Sequence, residues 1–228
     1  MNGMQRLRAV VFDMDGVLID SEPIIRRAAQ RAGELLGHTL SDSLYADLLG
    51  LPGAQVEAAL MAAFGADFPL AEYRRCFERL YREDVASNGI RSKPGVPELL
   101  ESLRANDVPV AVATSTRSGH AQAALESAGL LGYLPICITG DQVSAGKPEP
   151  EIFLRAATSL NIHAVECIAI EDSEVGARAA VSAGMWTLMV PDLKQPSAEL
   201  ARMVREILPS MPHAARRVIS LLNLEETT

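Results

Sequence analysis

Two carboxylates one residue apart, Asp13 and Asp15, end the apolar run Ala9 to Phe12 and are followed at once by Gly16. In extended backbone, residues i and i+2 point the same way, so the pair can serve one site if the chain stays near-extended past the strand. Gly16 lets the chain turn away without adding a side chain. Two like charges this close repel, which pushes their pKa values apart unless a cation holds them. The arrangement suits a divalent metal, acid/base work, or both. Asp and Gly are also ordinary turn formers, so these residues alone describe a plain turn equally well.

Polar residues end three further apolar runs. Thr114-Ser115-Thr116-Arg117 follows Pro109 to Ala113, and Asp141 follows Ile136 to Thr139, with Lys147 in the Ser144 to Pro148 loop beyond. Glu171-Asp172-Ser173 follows Cys167 to Ile170. If these groups converge, Asp13, Glu171 and Asp172 supply oxygen ligands for a hard cation such as Mg²⁺. Thr114 offers a hydroxyl, Ser115 a backbone N–H and Lys147 a point charge, which are donors for a dianionic phosphoryl group. Phosphoryl transfer needs mostly positioning and charge neutralisation. A carboxylate can act as nucleophile, and a second acid can protonate the leaving oxygen. Taken singly, each residue has a plainer role: a solvated loop lysine, helix caps at Thr114 and Ser115, partners of a helix dipole at Glu171 and Asp172. Their common placement at strand ends favours a site.

The elements that must position these residues are legible as periodicity. After Pro23, Ile24/Ile25, Ala28/Ala29, Ala32 and Leu35/Leu36 recur at helical spacing. Val56, Leu60 and Phe64 mark a second helix, and Tyr73, Phe77, Leu80 and Tyr81 a third. Residues 20–90 thus read as all-helical, with hinges at Asp20-Ser21 and Ser87-Asn88-Gly89. From Lys93 onward, helices (Val96 to Leu103, Ala121 to Ala128, Ile152 to Leu160, Val175 to Ala183) alternate with short apolar runs, the last being Trp186 to Val190. At least one more helix is expected near Ala214 to Leu222. Such alternation implies an α/β fold with a parallel, doubly wound sheet, whose ligands bind at the carboxyl ends of the strands.

The 228 residues are 48% hydrophobic and 22% charged, an ordinary globular composition. The net charge of −8 argues against a nucleic-acid or anionic-membrane partner. No apolar run approaches the roughly 20 residues of a membrane helix, and the N-terminus carries no signal-peptide h-region; a cytoplasmic location is expected. Cys76, Cys137 and Cys167 form no CxxC pair, which points to buried thiols rather than zinc or disulfides.

Together the motifs resemble those of the haloacid dehalogenase-like (HAD) hydrolase superfamily. The likeness is to its phosphatases and mutases with a helical cap inserted after the first strand, relatives of phosphoglycolate phosphatase and β-phosphoglucomutase. The resemblance covers nearly the whole chain. It rests on Asp13-Met14-Asp15-Gly16-Val17-Leu18-Ile19-Asp20-Ser21-Glu22, Thr114-Ser115-Thr116, Gly146-Lys147-Pro148 and Glu171-Asp172-Ser173, in that order. It implies a Rossmann-like core from residues 1–19 and 91–228 and a cap domain from residues 20–90. It further implies that Asp13 is the nucleophile forming an aspartyl-phosphate. Asp15 would protonate the leaving group, then activate water, with its backbone carbonyl on Mg²⁺. Thr114, Ser115 and Lys147 would hold the phosphate, Lys147 also steadying Asp13, and Glu171 and Asp172 would complete the metal site. Arg117, directly after the phosphate-binding turn, and Glu22 are expected to contact substrate. Gly50 to Gly53 and the Tyr73 to Tyr81 helix would also help set specificity. A cap that closes and excludes water implies a small phosphorylated metabolite, such as a sugar phosphate or phosphoglycolate, turned over by a monomer.

Dehalogenases of the superfamily lack an acid at the position of Asp15, so its presence favours phosphoryl chemistry. The mutase pattern has a histidine where this chain has Ile25, and a cap arginine near Gly53. Both departures favour hydrolysis, with a β-phosphoglucomutase-like mutase as the alternative. A phospho-accepting switch resembling response-regulator receivers fits less well, since receivers carry the phosphorylated Asp on a later strand and have no such insertion.

Overall fold

The computed structural model describes residues 6–49, 51 and 53–224. Strand β1 (Ala9–Phe12) is followed by four helices: α1 (Glu22–Leu35), α2 (Asp42–Leu48), α3 (Gly53–Phe64) and α4 (Leu70–Asn88). The chain then alternates: α5 (Val96–Ala105), β2 (Val110–Thr114), α6 (Ser118–Ser127), β3 (Cys137–Thr139), α7 (Glu151–Ser159) and β4 (Cys167–Glu171). It ends with α8 (Glu174–Ser182), β5 (Trp186–Met189), α9 (Ala198–Met203), β6 (Glu206–Ile207) and α10 (Met211–Leu222).

The strands form one sheet in the order β3-β2-β1-β4-β5-β6, parallel throughout. One face presents Ala9 and Val11, Ala111 and Ala113, Cys167 and Ala169. These pack with Ile152, Phe153, Ala156 and Ala157 of α7 and Ala179 and Ala180 of α8. The alternating positions Val10, Phe12, Val112, Ile168 and Ile170 are fully buried too. That is the signature of a sheet covered on both faces. The alanine-rich face lets helix backbone approach closely. Because β1 lies between β2 and β4, the strand order reverses there, and the carboxyl end of β1 opens a crevice.

The chain divides into two compact units, one from the residues up to Asp20 together with those from Arg91 onward, the other Ser21–Ile90. In the first, the strands of chain that lead out and back run together. Ile19 bridges Ser92 in antiparallel fashion, and Asp20 N–H donates to the Arg91 carbonyl at 2.9 Å. Among its described residues the second unit has only helices and loops, without a strand. Ala29, Ala32, Tyr45, Leu48, Leu60, Phe68 and Tyr73 form its core, and the Tyr73 hydroxyl donates to the Ala29 carbonyl at 3.2 Å. Gly50 and Pro52, within the loop expected to set specificity, lie outside the described residues.

Three elements go beyond the sequence reading. Helix α2 has seven residues and β6 two, too few to display a period of 3.6 or 2; α9, of six residues, escaped for the same reason. Of Ser87-Asn88-Gly89, expected as a hinge, only Gly89 lies outside a helix. Ser87 and Asn88 continue α4, and only Gly89, at φ 70°, breaks it, a conformation glycine adopts at little cost. No helix among the described residues is long and apolar enough to cross a membrane.

Candidate active site

Phe12 pairs with Ile170 on one side and Val112 on the other. The register therefore brings Asp13 and Glu171 out of the sheet at one level, with Thr114 just beyond. Pairing continues one step past β1, since Asp13 N–H donates to the Ile170 carbonyl at 2.9 Å. The chain then bends instead of staying extended. Leu18 and Ile19 N–H groups both return to the Met14 carbonyl, and Gly16 turns with φ 84°. The i, i+2 argument thus gives way to a closed turn, yet the Asp13 carboxyl still feels the charge of Asp15.

Lys147 occupies the centre. Its ammonium donates to Asp13 Oδ1 and to Glu171 Oε1, each at 2.5 Å, and lies 5.1 Å from the centroid of the Phe153 ring. The lysine side chain is shielded, Asp13 is 6% exposed and Glu171 not at all. Glu171 uses its second oxygen to accept from both the N–H and the hydroxyl of Ser173, at 2.8 and 2.9 Å. Such a buried charge trio persists only because each carboxylate is paired and hydrogen-bonded.

Asp13, Glu171 and Asp172 each offer an oxygen within 4.8 Å of the others. Burial first, and then repulsion from Glu171 and Asp15, push the Asp13 carboxyl up to about 7 against the pull of Lys147. Asp172 is raised as well, by burial and then by Glu171 and Asp13. Burial would lower the Lys147 ammonium, but Asp13 and Glu171 hold it up. A compact set of carboxylate oxygens, in which burial and mutual repulsion raise Asp13 and Asp172, suits a hard divalent cation.

Thr114, the last residue of β2, is buried, and its Oγ1 accepts from Thr116 N–H at 3.0 Å, which leaves its hydroxyl proton to donate. Ser115 is exposed on the same turn. Arg117 is exposed at the N-cap of α6 and has no side-chain cap bond. The plainer reading of Thr114 and Ser115 as caps of that helix fails. Asp141 takes the role, accepting from the Ser118 N–H at 2.9 Å and its hydroxyl at 2.7 Å. Bonds from Ser118 and Thr139 hold the Asp141 carboxyl far below the usual carboxylate range. Asp141 therefore caps α6 from the loop after β3 and braces the wall of the site.

Glu22 opens α1 in the helical unit, where the Tyr45 hydroxyl donates to its Oε1 at 2.6 Å. Burial and this bond raise the Tyr45 hydroxyl above the usual phenol range.

Three further residues, to which the strand-end pattern assigned no role, support the site or the chain around it. Thr116 donates to Asp15 Oδ2 at 2.8 Å. Glu151, the first residue of α7, accepts from the N–H groups of Ser144 and Ala145 and so anchors the loop that presents Lys147. Lys93 pairs with Asp192 at 2.7 Å and Asp20 at 3.4 Å. Thr116 was visible within the Thr114-Ser115-Thr116 motif, and Glu151 carried a usable signal as an acid in the first turn of a helix just after a glycine-containing loop; Lys93 carried none.

A family model described as haloacid dehalogenase-like hydrolase matches residues 7–184. The chain is 35% identical over 181 residues to the phosphorylated carbohydrates phosphatase of Thermotoga maritima, covering 78% of this chain and 82% of that one. It is 32% identical over 185 residues to the validoxylamine A 7'-phosphate phosphatase of Streptomyces hygroscopicus subsp. limoneus, covering 78% and 83%. Among solved structures, one from Thermotoga maritima, provisionally named a β-phosphoglucomutase, superimposes with a TM-score of 0.77 at 30% identity, covering 94% of this chain and 99% of that one.

Proposed function

The chain belongs to the haloacid dehalogenase-like hydrolases, and from that membership we propose that it is a Mg²⁺-dependent phosphatase of small phosphorylated metabolites, sugar phosphates foremost. The observation that carries the reading is the Lys147 ammonium held between Asp13 and Glu171 at the ends of adjacent strands. There it steadies one carboxylate as nucleophile and meets a phosphoryl oxygen with positive charge.

Asp13 attacks phosphorus through the oxygen that Lys147 does not hold. The bond from phosphorus to the ester oxygen breaks, and Asp15 gives that oxygen its proton. Water then attacks the aspartyl-phosphate and passes a proton to Asp15. The bond between Asp13 and phosphorus breaks, releasing phosphate and restoring both side chains. Thr114 and Ser115 hold the phosphoryl oxygens, and Arg117, exposed beside them, meets the remainder of the substrate. Mg²⁺ held by Asp13, Glu171, Asp172 and the Asp15 carbonyl would neutralise phosphoryl charge. The helical unit serves as the cap that excludes water from the acyl phosphate, and Glu22 lends it a substrate contact.

The solved structure provisionally named a β-phosphoglucomutase favours the mutase as second reading. Against it, Ile25, where the mutase pattern has histidine, packs on the core of the helical unit. One experiment separates the two: phosphate release from a panel of phosphomonoesters with and without Mg²⁺, with Asp13→Asn as control. The panel includes β-glucose 1-phosphate primed with the 1,6-bisphosphate. Mg²⁺-dependent release that disappears in the variant is the expected result. Glucose 6-phosphate formed without free phosphate would establish a mutase instead.

A further inference from the structure

Thr116 lies on the turn after β2 yet reaches across to the end of β1, where its hydroxyl donates to Asp15 Oδ2 at 2.8 Å. Its own backbone is held on both sides. The N–H donates to Thr114 Oγ1 at 3.0 Å, and the carbonyl accepts from Gly140 N–H at 3.2 Å. Gly140 is pressed so closely on Ser115 that any Cβ there would overlap the Ser115 carbonyl, so this turn has little room to shift. Threonine is stiff about χ1, and a main chain pinned in this way aims the hydroxyl in one direction. Asp15 is likewise fixed in its backbone, bridged to Ile19 within the turn that Gly16 closes. What the bond between them sets is the side-chain torsion of Asp15.

From this geometry we propose that Thr116 is a positioning residue for proton transfer by Asp15, an inference that rests on the phosphatase reading above. The hydroxyl fixes the plane of the carboxyl. The carbonyl oxygen of a protonated carboxyl accepts a hydrogen bond better than its hydroxyl oxygen does, so donation to Oδ2 places the acid proton on Oδ1. Thr116 also joins this acid to Thr114, which holds the phosphoryl group. One three-residue turn thereby sets the spacing between the phosphoryl oxygens and the proton destined for the leaving oxygen, the kind of alignment on which general acid catalysis depends.

The test is kcat/KM for a series of aryl and alkyl phosphates of rising leaving-group basicity, measured with Mg²⁺ for the unaltered protein, Thr116→Val and Thr116→Ser. This ratio covers events up to cleavage of the ester bond, so it includes proton donation to the leaving group and excludes the later attack by water. Thr116→Val is expected to lose about tenfold or more with alkyl esters and about twofold or less with a dinitrophenyl ester, whose oxygen leaves without a proton. Thr116→Ser, which keeps the hydroxyl, is expected to restore the unaltered dependence. An equal loss across the series, or a serine variant indistinguishable from valine, would overturn the inference and make Thr116 a packing or substrate contact. Inactivity of the unaltered protein toward the whole series would overturn the phosphatase reading and this inference with it.

Discussion

A Cβ built at Gly176 would overlap the Glu171 carboxylate, and one at Gly16 would overlap that of Asp172. These two glycines are the floor on which the acidic groups rest. Gly16 is doubly constrained, because its φ of 84° also disfavours any L side chain. Gly176 has ordinary helical surroundings, so alanine there isolates the steric effect. Gly176→Ala is expected to cost about 1–3 kcal/mol through overpacking. It should also lower kcat/KM at least about tenfold by displacing Glu171 from Lys147. Gly119 in α6 has nothing within 4 Å of a built Cβ, and Gly119→Ala should gain up to about 1 kcal/mol with activity unchanged. Thermal melts and steady-state assays on the two variants decide the matter. The acids and Lys147 were legible from residue type and position alone. The glycine floor was not, since a glycine in sequence does not say which carboxylate lies against it.

Elements act on the site mainly through helix beginnings. At α8, Ser173 accepts from Gly176 N–H at 3.1 Å while donating its hydroxyl to Glu171. At α7, Glu151 holds the Lys147 loop, and at α6, Asp141 reaches in from another loop. At α8 and α6 the acceptor satisfies an unpaired N–H of the helix N-terminus, whereas at α7 the first-turn Glu151 accepts from the loop itself; each brace fixes a loop at the site. Ser173→Ala should cost about 1 kcal/mol as a lost cap. It also strips Glu171 of a donor, so the loss in kcat/KM should exceed that at a cap serine that bonds no site residue, as in Ser41→Ala in α2. Equal activity in the two variants would reduce Ser173 to a cap alone. Strands of four or five apolar residues and helices of nine or more were readable in the sequence because their periods repeat. Helix α2, helix α9 and strand β6 are too short for that, and they exist because tertiary neighbours complete them.

For the whole molecule, the crowding of acids predicts how stability answers to pH and to metal. Asp13 is raised to about 7, above its unfolded value near 4, and Asp172 is raised too. A carboxyl with a raised native pKa adds stability below its unfolded pKa and loses it as pH climbs through the native one. The metal-free protein should therefore forfeit this contribution between about pH 4 and pH 7. A divalent cation takes deprotonated carboxylates, so Mg²⁺ should raise Tm more at pH 8 than at pH 6. At a hundredfold excess over Kd that is about 2.7 kcal/mol, or roughly 5–10 °C for a chain this long. Asp172→Asn should remove most of the shift, and a Tm indifferent to Mg²⁺ at pH 8 would sink the metal assignment. The sequence by itself determined the parallel α/β architecture, the helical insertion, the order of the motifs and the family, since apolar periodicity and residues at strand ends are local properties. The resemblance already set Lys147 on Asp13, but tertiary structure alone decided that Lys147 also holds Glu171 and that Thr116 holds Asp15. Lys147 meets Asp13 across 134 residues and Thr116 meets Asp15 across 101. Asp141 was turned from a candidate into a clamp. Such pairings follow from the register of β1 between β2 and β4, and register arises only when the whole sheet has packed both its faces.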